Sequence, residues 1–239
     1  MQYGLGSARV LRTGKAIVIA TTDGRAYFEF VNLLKRLSLP HRDLLPGEAF
    51  IYRDSLILTT RKELPLISPR AYFLFEEMNG DFEHDAVFLL SRLFQSRNDN
   101  LLLGVDPGGM TGIAVLYRGY PVSFHTFSSY FEAIAFIDKM LRLHVNKLIL
   151  RIGKGDFRGE RIASQASKIA ETLQKKDSRC QIIIEMVDES GTSKREESTK
   201  LKSNAFYPYV KGFRAAIQKD ALAALGIARR RGKPFANAV

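Results

Sequence analysis

Cysteine occurs once in 239 residues, at Cys180, so no internal disulfide framework holds this chain together. Histidine is nearly as scarce, and the four residues at 41, 84, 125 and 144 show none of the paired spacings that a structural zinc site needs. Long apolar runs are missing too: no stretch approaches the roughly 20 residues of a membrane span. The opening MQYGLGSARVLRTGK lacks the apolar core and small-residue cleavage site of a secretory signal. Internal repeats and low-complexity tracts are absent. Together these argue against a stapled secreted module, a zinc ribbon and a membrane protein. The expectation is a protein of a reducing compartment, cytoplasmic, with no membrane partner.

What is present is core-forming material: 46% of residues are hydrophobic and 26% charged, which excludes a disordered chain. The formal charge of +11 is unevenly spread. Residues 194 to 239 hold eleven basic and three acidic side chains, so +8 of the +11 lies in the last fifth of the sequence. A basic field so concentrated suits a polyanion, because each phosphate it neutralises releases condensed counterions. The alternative for a charge run alone is a solvated tail.

The polar, turn-favouring cluster QSRNDN (95 to 100) separates two apolar stretches and sets a boundary, with residues 1–98 as one domain and 99–239 as another. Before it, KAIVIATT (15 to 22) and AFIYRDSLILTT (49 to 60) read as strands. AYFEFVNLLKRL (26 to 37), PRAYFLFEEM (69 to 78) and HDAVFLLSRLF (84 to 94) carry apolar residues at helical spacing, and LSLPHRDLLPGE (37 to 48) is a loop. That is a small α/β unit.

After the boundary, NLLLGV (100 to 105), IAVLYRG (113 to 119) and PVSFHTF (121 to 127) form a three-strand meander whose first turn is DPGGMTG (106 to 112). SYFEAIAFIDKMLRLH (129 to 144) is an amphipathic helix with Phe131, Ile134, Phe136 or Ile137, Met140 and Leu141 on one stripe. KLILRIG (147 to 153) is a strand, RGERIASQASKIAETLQKK (158 to 176) a helix and CQIIIEMV (180 to 187) a strand. A polar loop leads to a last helix from about Phe213 to Arg230. Its apolar stripe is Phe213, Ile217, Ala221, Ala224 and Ala228. Asp220 falls beside that stripe, a costly place for a carboxylate unless it is paired or bound to a cation.

The order βββαβαβα is that of the ribonuclease H-like fold, and three segments carry the resemblance further. LLLGVDPGGMTGIAVL resembles the first hairpin of the RuvC and YqgF resolvase-like group, with an aspartate closing strand one. IIIEMVDESGTSK is similar to the segment in which a strand of that group runs into Asp-Glu-Arg and then Ser or Thr, with Ser190 standing where the family has arginine. QKDALAALGIA resembles its last helix. The resemblance covers residues 100 to 231. It implies an α/β protein whose C-terminal domain is a ribonuclease H-like mixed sheet, with a smaller N-terminal α/β domain. It implies also a nuclease in which Asp106, Glu189 and Asp220 hold two Mg²⁺ or Mn²⁺ ions about 4 Å apart, one activating water and the other stabilising the leaving oxygen. The partner so implied is branched DNA or structured RNA, and a homodimer suits a four-way junction cut at two symmetric points.

Other readings of these residues stand beside that one. Asp106 before Pro107 suits a tight turn. Glu185 and Asp188 compete with Glu189, and Asp220 has Lys219 and Arg214 as neutralising neighbours. In the loop GTSKREESTKLKSNAFYPYVKG, Lys194, Arg195, Lys200, Lys202 and Lys211, with Arg214 just beyond, suit phosphates. Tyr207 and Tyr209 suit unpaired bases, or else fold back over the sheet. Thr192 and Ser193 match the family's hydroxyl position. Lys154, in GKGDFRG near a helix start, favours anions. Two further functions remain open. DPGGMTG is similar to the phosphate-binding hairpin of actin and sugar-kinase-class phosphotransferases, although the first 100 residues show no second phosphate loop. A non-catalytic nucleic-acid-binding module is the other.

Overall fold

The computed structural model describes residues 15–52, 54–95, 99–154, 157–176, 180–188, 219–230 and 232–235. The chain is mixed α/β with two sheets and divides into two compact units, Met1–Ser96 and Arg97–Val239.

The first unit runs β1 (Ile17–Ala20), α1 (Gly24–Arg36), β2 (Arg42–Leu44), a 3-10 segment (Pro46–Tyr52), β3 (Leu56–Thr59), α2 (Leu64–Ile67), β4 (Ala71–Leu74) and α3 (Phe82–Phe94). Its sheet is parallel throughout, in the order β2-β1-β3-β4. Every residue of β1 and β3 is buried, as expected of central parallel strands covered on both faces. The Asp23 carboxylate caps α1 by accepting from the amides of Arg25 and Ala26 at 2.9 and 3.0 Å. Just past β1 and β3, the buried Glu63 carboxylate accepts from the hydroxyls of Thr21, Thr22 and Thr60 and the amide of Thr22, at 2.6 to 2.8 Å. Burial alone pushes such a carboxyl up, but these four donors outweigh it and hold the group down at about 2.

Three sequence expectations fail here. The run 49–60 is a strand only from Leu56, because Pro46 opens a 3-10 segment that reaches Tyr52. The supposed loop 37–48 contains β2, recruited by pairing with β1. The apparent helix 69–78 is strand β4 followed by a 3-10 turn at Phe75–Glu77. Pairing with β3 overrides a pattern too short to fix its own period.

The second unit runs β5 (Asn100–Pro107), β6 (Thr111–Tyr117), β7 (Tyr120–Phe127), α4 (Tyr130–Leu141), β8 (Lys147–Gly153), α5 (Phe157–Lys176), β9 (Gln181–Val187), α6 (Lys219–Arg229) and β10 (Lys233–Pro234). The six-stranded sheet has the order β10-β9-β8-β5-β6-β7. Strands β5 to β7 form an antiparallel meander, β8 and β9 run parallel to β5, and β10 closes the edge antiparallel to β9. The β6–β7 hairpin turns on Arg118 and Gly119, both at positive φ, as a two-residue primed turn requires. Tyr117 at the foot of β6 donates its hydroxyl to Asp99, and burial with that carboxylate raises the phenol's pKa.

Helix α4 buries Ala133, Ile137, Met140 and Leu141, but Phe131, expected in the buried stripe, is 75% exposed. Ala224, Leu225 and Ala228 of α6 pack with Ala114 and Leu116 of β6. Of the stripe predicted for that helix, Ala221, Ala224 and Ala228 are buried, whereas Phe213 and Ile217 lie outside the described residues.

Candidate active site

Asp106 belongs to β5 rather than to the turn: it pairs with Gly112 of β6, so the turn shrinks to residues 108–110. Residues directly opposite in an antiparallel pair share a face of the sheet, with Cα atoms about 5 Å apart. The face that carries Asp106 therefore also carries Gly112 across the ladder and Gly104 two residues back. Both are glycines because α6 lies on them. A Cβ on Gly104 would fall 2.1 Å from the Ala224 carbonyl oxygen, and one on Gly112 would fall 2.1 Å from that of Asp220. The main chain of Asp220 is thereby seated directly across the ladder from Asp106. Both carboxylates are partly exposed, and Asp220 occupies the first turn of its helix, where the peptide dipoles favour an anion.

The strand ends beside Asp106 are equally fixed. Arg158 donates through Nη1 to the Gly108 carbonyl at 2.7 Å. Gly159 sits so close to the Gly153 carbonyl that an added Cβ would meet it at 2.3 Å. Lys154, expected to favour anions, is exposed, and its amide donates to the Val187 carbonyl at 2.9 Å, so its ammonium rather than its amide is the group for that task.

Glu185, one of the acids considered beside Glu189, is otherwise engaged. Its Oε2 accepts from Arg151 Nε at 2.7 Å and from the Gly232 amide at 3.3 Å. Arg151 also donates through Nη1 to the Ala228 carbonyl at 2.6 Å, near the C-terminal end of α6. This pair, 14% and 18% exposed, ties the helix to β8 and β9. Sequence reasoning missed Arg151. The available signal was one basic residue in KLILRIG and one acidic residue in IIIEMV, which the β8–β9 register sets side by side.

Glu189, Thr192, Ser193, Lys194, Arg195, Lys200, Lys202, Tyr207, Tyr209, Lys211 and Arg214 lie outside the described residues. Among the described residues no three His, Cys, Asp or Glu side chains gather as a metal site, and no helix is long and apolar enough to cross a membrane.

No family model matches this chain. No curated protein matches it either. Among solved structures it is similar to T. thermophilus RuvC in complex with Holliday junction substrate, at 12% identity and a TM-score of 0.31, over 56% of this chain and 99% of that one.

Proposed function

We propose that the chain is a metal-dependent nuclease of the ribonuclease H-like, RuvC and YqgF type, hydrolysing phosphodiester bonds in branched DNA or structured RNA. The observation that carries this reading is the seating of Asp220 on Gly112, across from Asp106. It brings an acid from the first strand of the sheet and an acid from the last helix to one end of the fold. In this reading Asp106 and Asp220, with Glu189 as third ligand, hold Mg²⁺ or Mn²⁺. Held there, such a cation would lower the pKa of an attacking water and offset charge on the leaving oxygen. Lys154 and the loop residues Thr192, Ser193, Lys194, Arg195, Lys200, Lys202, Tyr207, Tyr209, Lys211 and Arg214 bind the nucleic acid, and a homodimer matches a symmetric junction.

The phosphotransferase reading is less well supported. That class repeats its core domain, and here the first unit is a four-stranded all-parallel sheet while the second is a six-stranded mixed one.

The test combines melting temperature with and without Mn²⁺ and a cleavage assay on four-way junctions, flaps and structured RNA. Asp106→Asn and Asp220→Asn should each abolish cleavage and the Mn²⁺-induced stabilisation. The metal-free variants should melt no lower than wild type, because one of two repelling charges is gone. Stabilisation by Mn²⁺ that survives both substitutions would overturn the shared site.

A further inference from the structure

Several large side chains of the second unit lie in water around the starts of α4 and α5. Phe131 is 75% exposed and Phe157 69% exposed. Each belongs to a set of ring and guanidinium contacts. The Phe131 ring stands edge-on to Tyr130 at 5.7 Å, and the Arg161 guanidinium lies 4.4 Å above the Tyr130 ring. Arg161 is one helical turn beyond Phe157, on the same side of α5. The Arg158 guanidinium stands 6.0 Å from the Phe157 ring and binds the Gly108 carbonyl, two residues past Asp106. A strip of alternating rings and guanidinium groups thus leads from the first turn of α4 to the candidate site.

We propose that this strip, centred on Phe131, Tyr130 and Arg161, binds an unpaired nucleic-acid strand flanking the scissile position. The inference rests on the nuclease reading for its substrate, but on separate residues. An open aromatic face costs water contact unless another π-face covers it, and every base offers one. A guanidinium laid on a ring both extends the stacking surface and attracts a phosphate. Bases inside a duplex cannot reach such a strip, because their faces are already stacked on each other.

The experiment uses the full chain in EDTA, so that nothing is cleaved, and measures fluorescence anisotropy with a short labelled oligothymidine and a blunt duplex of equal length. Phe131→Ala and Arg161→Met should each weaken oligothymidine binding by about 5- to 100-fold, the loss of stacking on roughly one base. Duplex affinity should stay within about twofold, and Phe131→Trp should restore binding. Both residues are exposed, so the variants fold. Unchanged oligothymidine affinity in both variants would overturn the proposal, including the case in which the strip docks a protein instead. Absence of oligothymidine binding by wild type would overturn it as well. Strip-dependent binding without any Mn²⁺ effect would sink the nuclease reading alone, and cleavage with a silent strip would sink this one alone.

Discussion

The carbonyl oxygen of Asp220 lies 2.1 Å from the point that a Cβ on Gly112 would occupy. A single methyl group there cannot be absorbed by a side-chain rotation, because the neighbouring atom is backbone.

Gly112→Ala should therefore lift the start of α6 off β6 and cost about 1–3 kcal/mol, the range for overpacking. Mn²⁺ affinity should fall with it, read by calorimetric titration. Gly109→Ala is the control, since a Cβ at that position meets nothing within 4 Å. Equal Mn²⁺ affinity in the two variants would disconnect the glycine contact from the site.

Arg151→Met removes the bonds to Ala228 and Glu185 together and leaves Glu185 without its cation. The loss should be about 2–4 kcal/mol in chemical denaturation, with Arg151→Lys recovering part of it. Glu185→Gln should cost less, since it still accepts a hydrogen bond. If amide exchange in α6 stays as slow in Arg151→Met as in wild type, the pair does not anchor the helix.

Glu63 makes the first unit acid-sensitive in a defined window. Its folded pKa of about 2 lies below the ordinary glutamate value of about 4.3. The bonded carboxylate thus contributes stability that is complete above the unfolded value and lost as pH falls from roughly 4.5 toward 2. Amide exchange of β1 and β3 should accelerate across that range in wild type and show a flatter profile in Glu63→Gln. Identical profiles would assign the acid response to other groups.

Replacing Lys194, Arg195, Lys200 and Lys202 with alanine should weaken nucleic-acid binding at low salt. The slope of log affinity against log salt should shrink by about one for each phosphate that is no longer neutralised. Unchanged affinity for every nucleic acid tested would leave this segment a solvated surface.

Long periodic elements and the meander of the second unit were legible in the sequence, because Lys147–Gly153 and Gln181–Val187 are bounded apolar runs and α1, α3 and α5 repeat at helical spacing. Asp106 was singled out only by the resemblance of LLLGVDPGGMTGIAVL to a known hairpin, its local chemistry suiting a tight turn, whereas Asp220 stood out by its place beside an apolar stripe. Nothing local revealed that Gly112 receives Asp220, because a glycine in a hairpin motif reads as a turn residue until the helix that fills it is in place. Phe131 was misplaced for a related reason: helical spacing gives the face of a residue but not how far along that face the neighbouring elements cover it. The short strands β2 and β4 owe their form to pairing, which no window of a few residues contains.

The seating of α6 on Gly104 and Gly112 also sets a schedule. Asp106 and Asp220 are separated by more than a hundred residues of chain, and α6 is the last helix described. During synthesis β5 to β9 emerge first, with Leu102, Ala114 and Leu116 still uncovered on the face that α6 later fills. Asp220 reaches Gly112, across the ladder from Asp106, only when that helix docks. A chain interrupted before Lys219 lacks the second carboxylate, so the candidate site stays unassembled until α6 has been made.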